Sequence, residues 1–164
     1  LILVLANGIT TKVIAMNDQI LSQVVILAAF IPLLIGTGGN VGAQSSTVVI
    51  RGLSTQKIKS LGPLKAILKE TFTGALLGVL MLFVVIPFAW WQGNGPLIGF
   101  AVGISLISIT TLAATAGALL PLLFDKMGLD PALMSSPFIT TVTDIAGVFI
   151  YLNTATWLLA NSNL

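Results

Sequence analysis

The chain alternates long apolar runs with short polar breaks, and the runs are too long for ordinary core helices. Crossing a hydrocarbon layer takes about 20 apolar residues. Four stretches reach that length, over roughly 20–50, 66–91, 97–124 and 132–160. A fifth, about 1–16, is apolar but interrupted by Asn7, the Thr10–Thr11 pair and Lys12. It reads as the distal part of a truncated helix. The pattern predicts an all-α membrane protein: five transmembrane helices forming one domain over residues 1–164.

The breaks orient the helices. Asn17–Gln19, Gln92–Pro96 and Asp125–Pro131 are short, whereas Arg51–Glu70 is long and carries five of the seven basic residues. Basic loops stay on the cytoplasmic side. The expected arrangement has the N-terminus inside and the C-terminus outside, in a bacterial inner membrane. Asn17–Gln19 and Gln92–Pro96 then lie outside. Trp90, Trp91 and Trp157 fall near the predicted outer ends, where indoles favour the interface.

Composition sharpens this picture. Charged residues make up 7% of the chain and hydrophobic ones 56%, against about 25% charged in soluble domains. Mean hydropathy is +1.07. Cysteine and histidine are absent, which excludes disulfides, thiolate metal sites, haem ligation and histidine acid–base catalysis within this chain. No enzyme is expected. Small residues recur at helical spacing, as Gly74 and Gly78, then Gly95, Gly99 and Gly103, then Ala113, Ala114 and Gly117. Such stripes let helix backbones approach closely in lipid. No internal repeat is evident, and an odd helix count argues against two inverted halves.

Against this apolar background, Asp144 stands near the middle of the last helix, in "PFITTVTDIAGVFIY". A carboxylate at that depth costs about 2.5–3.5 kcal/mol on insertion scales and by default marks an ion or proton path. No basic residue shares its predicted depth. Ser136, Thr140, Asp144, Gly147 and Tyr151 share one helical face, and Pro137 removes a backbone donor beside it. Oxygen ligands suit hard divalent cations, and Mg²⁺ keeps several of its waters. In the second helix, "GTGGNVGAQSS" (Gly36 to Ser46) puts Gly36, Asn40, Gln44 and Thr47 on a comparable face, one turn after Pro32. Polar or exposed backbone at membrane depth must line a cavity or be buried in protein, so the segment reads as a pore wall opposite Asp144.

Other chemistries fail. The glycine-rich segment lacks the Gly-Lys-Ser/Thr ending of a phosphate loop. Serine and zinc intramembrane proteolysis need histidine, and one aspartate makes no aspartyl dyad. The basic loop is short and lies against the membrane surface, so nucleic acid is not an expected partner.

Two blocks carry a family resemblance: "IPLLIGTGGNVGAQSSTVVIRGL" (Ile31 to Leu53) and "GLDPALMSSPFITTVTDIAGVFIYL" (Gly128 to Leu152). In order, spacing and helix plan the chain resembles the membrane domain of the MgtE family of magnesium channels. The resemblance implies a homodimer with an ion pathway at the subunit interface, lined by the second and fifth helices. It implies that Asp144 is the central Mg²⁺ site and that Gly39, Asn40, Ser136, Thr140 and Gly147 line the pathway. Asp130 matches an acid at the cytoplasmic entrance where regulatory Mg²⁺ can bind. Mg²⁺ is the implied bound and transported ion, with Mn²⁺ or Ca²⁺ as competing oxygen-seeking cations. Cytoplasmic regulatory domains common in the family lie outside this chain. The competing functions are an ion- or proton-coupled secondary divalent-cation transporter and a non-conducting membrane scaffold.

Overall fold

The computed structural model describes residues 2–16 and 25–160. The expected break at Asn17–Gln19 and the start of the second helix lie outside the described residues. Those described are all-helical: α1 (Ile2–Met16), α2 (Ile26–Ser54), α3 (Lys57–Leu61), α4 (Pro63–Trp91), α5 (Gly95–Lys126) and α6 (Pro131–Ala160). Among them α2, α4, α5 and α6, each of 29 to 32 residues, are long and apolar enough to cross a membrane. At 15 residues, α1 spans only about 22 Å, and it runs unbroken through Asn7, Thr10–Thr11 and Lys12.

The expected long connection over Arg51–Glu70 is mostly helical, which corrects the sequence reading. α2 continues to Ser54, α3 fills Lys57–Leu61, and α4 starts at Pro63. The reason is apolar content within the basic segment. Ile58 is buried with Val49, Ala118 and Leu122, and Leu53, Ala66 and Ile67 pack on the same cluster. Gly62, at φ +88°, turns the chain between α3 and α4, a conformation open to glycine at no steric cost. Pro63 then occupies the first turn of α4, where its missing N–H is no loss.

α5 is the hub of the bundle, packing on α2, α4 and α6, while α1 packs on α6. The close approaches are made by glycine. A Cβ on Gly74 would strike the Thr110 carbonyl and the Ala114 side chain, and one on Gly78 would strike the Ile107 backbone. Gly99 meets the Ile86 backbone at 2.9 Å on the same terms, Gly103 meets Leu82, and Gly117 meets the Gly42 backbone. The stripe is shorter than its spacing suggested: Gly95, at φ +75°, has no such neighbour and is the first residue of α5. Thr71 and Thr115 add a hydroxyl–hydroxyl hydrogen bond of 2.9 Å between α4 and α5.

Apolar clusters fill the interior between these contacts. Leu27, Phe30, Leu34, Val102, Leu106, Val148, Tyr151 and Leu152 form the largest, towards the Gln92–Asn94 turn. Val13 and Ile14 of α1 pack against it. The outward face of α4 instead presents Phe72, Leu76, Leu80, Phe83 and Val84, as expected of a helix facing hydrocarbon.

These contacts generate a contrast between two glycines. Gly78→Val should destabilise the bundle by about 1–3 kcal/mol through overpacking, read as a lowered unfolding midpoint in detergent. Gly39→Ala, where no atom lies within 4 Å of the added carbon, should leave that midpoint unchanged.

A candidate ion pathway between α2 and α6

α2 carries two glycine faces with different surroundings. Gly38 and Gly42 are buried: a Cβ on Gly38 would crowd Ile109 and Thr143, and one on Gly42 would crowd Ile139 and the Ala113 carbonyl. This side joins α2 to α5 and α6. Gly36 and Gly39 have nothing within 4 Å, and around them Asn40, Ala43, Gln44 and Thr47 form an exposed stripe. The glycine-rich segment thus packs on one side and opens on the other.

The open side faces part of α6. Gly39, Ala43, Ser46, Thr47 and Ile50 on α2, with Ala132, Ser136, Ile139 and Thr140 on α6, enclose a cleft of about 180 Å³. Of the residues expected from the sequence, Gly39, Ser136 and Thr140 meet here. Asn40 is exposed on the same side of α2 but does not line the cleft. Asp144 follows Thr140 by one turn and is half-buried.

The polarity of the hydroxyls is informative. Thr47 donates to the Ala43 carbonyl at 2.9 Å and Thr140 to the Ser136 carbonyl at 3.1 Å. A threonine whose proton is committed to its own helix presents acceptor lone pairs to its surroundings. That is the polarity a cation, or water bound to a cation, requires. Asp144 adds a carboxylate one turn further along α6, outside the cleft lining; its Oδ1 atom is enclosed without a hydrogen-bond donor, as is the Ser135 hydroxyl oxygen.

The expected single face on α6 divides in two. Ser136 is exposed, and Thr140 and Asp144 are partly so, whereas Gly147 and Tyr151 are buried. Gly147 has Ile109 as its neighbour, so it meets α5 and not the cleft. Tyr151 donates a hydrogen bond of 3.0 Å to the Leu27 carbonyl, tying α6 to the start of α2. Periodicity places residues on a face, but only packing decides how much of that face is covered.

Asp130 has a structural task. Its Oδ1 atom accepts from the Ala132 N–H at 2.8 Å, capping α6, while Pro131 occupies the first helical position. The Asp-Pro pair carried that capping signal in the sequence. Asp125, at the other end of the same connection, lines the same cavity as Asp130. Ser54 and Leu53 of α2 complete much of its wall, and its volume is about 360 Å³. Two carboxylates thus share one cavity beside the end of α2. Among the described residues, no group of three or more acidic, histidine or cysteine side chains could close a metal cage. A cation beside Asp144 would find hydroxyl and carbonyl oxygens or water as its other ligands, and no cluster of carboxylates.

The family model for MgtE, a divalent cation transporter, matches residues 31–154. This range contains every residue that lines the cleft, and Asp144. Among curated proteins, the magnesium transporter MgtE of Thermus thermophilus is 39% identical over 158 residues, covering 96% of this chain and 35% of the relative. That of Enterococcus faecalis is 41% identical over 157 residues, covering 94% of this chain and 34% of the relative. That of Bacillus subtilis is 39% identical over 158 residues, covering 95% and 35%. The chain thus spans about a third of the length of these relatives. With long apolar helices, a cleft of acceptor oxygens and a family match over most of its length, the chain belongs to the MgtE family of divalent cation transporters.

Proposed function

We propose that this chain forms the ion-conducting part of a Mg²⁺ channel, working as a homodimer with the pathway between the α2–α6 faces of two copies. The observation that carries the proposal is the enclosed, unpartnered Oδ1 of Asp144, beside a cleft whose hydroxyls turn acceptors outward. Polar groups at this depth are not stable against lipid, so the open α2–α6 side must face water, ions or protein. A two-fold axis along that side supplies all three. It also brings two Asp144 carboxylates to one level, which a single copy cannot do.

The cation would pass largely hydrated. Mg²⁺ surrenders water reluctantly, and one carboxylate per copy with flanking acceptors suits hydrogen bonds to its water shell. Gly39, Asn40, Ser136 and Thr140 would line the route, with Asp144 as the central site. Asp125 and Asp130 would attract cations at the entrance. The basic segment from Arg51 to Lys69 assigns that entrance to the cytoplasm by the positive-inside rule. The N-terminus is then inside, and Trp90, Trp91 and Trp157 are at the outer interface.

Two measurements test this reading. Asp144→Asn removes two charges per dimer and should weaken divalent binding about 10- to 100-fold, the scale of charge-assisted hydrogen bonds. Mg²⁺ flux into liposomes should fall in parallel, and Asp125→Asn should change both far less. Unchanged binding together with unchanged flux overturns the central site. Flux that requires a proton gradient overturns the channel in favour of coupled transport.

The second concerns assembly. Because the chain has no cysteine, single cysteines can report on the interface. Gln44→Cys, on the open side of α2, should form a disulfide-linked dimer on mild oxidation in lipid. Phe72→Cys, on the outward face of α4, should not. A strictly monomeric protein that still conducts Mg²⁺ overturns the interface pathway.

A further inference from the structure

A second cavity, remote from Asp144, lies where α2, α3 and α4 converge and has a volume of about 350 Å³. α2 and α4 barely touch directly, and α3 bridges them through buried Ile58. The cavity wall is of two kinds. Val48, Ile58 and Leu61 present alkyl surface, while Arg51, Lys69 and Glu70 present charge. Arg51 and Lys69 are exposed, but Glu70 is only 8% exposed. No ion pair joins these three charges to one another.

Depth identifies the surroundings. From Thr71 to Trp91 α4 carries no charged residue, a length of about 31 Å that matches the hydrocarbon core. Glu70 therefore sits at one boundary of that core and Trp90–Trp91 at the other. Headgroups of the adjacent leaflet stand at the level of this cavity, with acyl chains beside the exposed Phe72 and Leu76 of α4.

A buried carboxylate is stable as a charge only when a cation or several donors meet it. Arg51 and Lys69 can be satisfied by water, but Glu70 is nearly enclosed. Two cations and one carboxylate in a partly alkyl cavity at headgroup depth complement a zwitterion with its own hydrocarbon. We propose that this cavity binds a phospholipid with a primary-amine headgroup, of the phosphatidylethanolamine class. Its phosphate meets Arg51 and Lys69, its ammonium meets Glu70, and its chains run along α4 into the bilayer. The lipid joins the end of α2, the helix that carries Gly39 and Asn40, to α4, where direct contact is sparse. This site stands independently of the ion pathway, because none of its residues lines the α2–α6 cleft.

Native mass spectrometry of the purified chain in detergent tests the site. The probes are dioleoyl phosphatidylethanolamine, its N-acetylated form, dioleoyl phosphatidylglycerol and inorganic phosphate. The unaltered protein should retain phosphatidylethanolamine at about tenfold lower concentration than phosphatidylglycerol, the scale of one charge-assisted hydrogen bond. N-acetylation, which removes the amine charge, should abolish that preference. Free phosphate should neither bind at these concentrations nor displace the lipid. Glu70→Gln should equalise the two lipids, Glu70→Asp should keep the preference, and Arg51→Gln should weaken both lipids. Equal retention of the amine lipid and its N-acetylated form by the unaltered protein overturns the proposal whatever the variants do. So does a preference that survives Glu70→Gln, or displacement of the lipid by phosphate alone.

Discussion

In hydrocarbon, a hydroxyl or carbonyl without a protein partner stays without one, and this constraint arranges the whole bundle. Most threonines and serines here meet it locally, by donating to the carbonyl four residues earlier. Ser105, Thr110, Thr111 and Thr115 do so along α5, and Thr140, Thr141 and Thr156 do so along α6. Such bonds hold no helices together. Cohesion falls to close packing, and close packing in lipid falls to small residues. That is why α5, rich in glycine and alanine, sits at the hub and receives Gly74 and Gly78 from α4 and Gly42 from α2.

The same constraint sets the α2–α6 side apart. The outward face of α4, by contrast, is largely alkyl and aromatic. Between α2 and α6, acceptor oxygens accumulate and Asp144 keeps one enclosed oxygen without a donor. Among the described residues, only the Ser135 hydroxyl on the same helix is likewise enclosed without a partner. Such exceptions concentrate where function needs them. The α2 glycines make the arrangement possible, because one helix must lie flush against α5 and also keep an open, polar wall. Gly42 serves the first need and Gly39 the second.

Much of this was legible beforehand. The α4, α5 and α6 spans emerged within a few residues of their observed ends, because apolar length is imposed by the bilayer and not by tertiary contacts. Asp144 stood out for the same reason, since charge at that depth is expensive in any fold. The family resemblance rested on two blocks, and both fall within the range the family model matches. The basic segment was less legible. Its lysines suggested a loop, but Ile58 and its apolar neighbours bury themselves and wind it into helix.

What the sequence alone determined is the solvent, the spans, the out-of-place acid and the stripes of small residues, all set by local length, charge and periodicity. Only the tertiary structure decided how each stripe is used. It buried Gly38 and left Gly39 open, one residue apart. It turned Gly147 and Tyr151 inward while Ser136, on the same helical face, stayed exposed. It also brought Asp125 to Asp130 in one cavity and enclosed Glu70 between helices that scarcely touch. Periodicity fixes the angle of a side chain around its own helix axis. Burial depends on which neighbour covers that angle at that height, and neighbours are chosen by contacts distant in sequence.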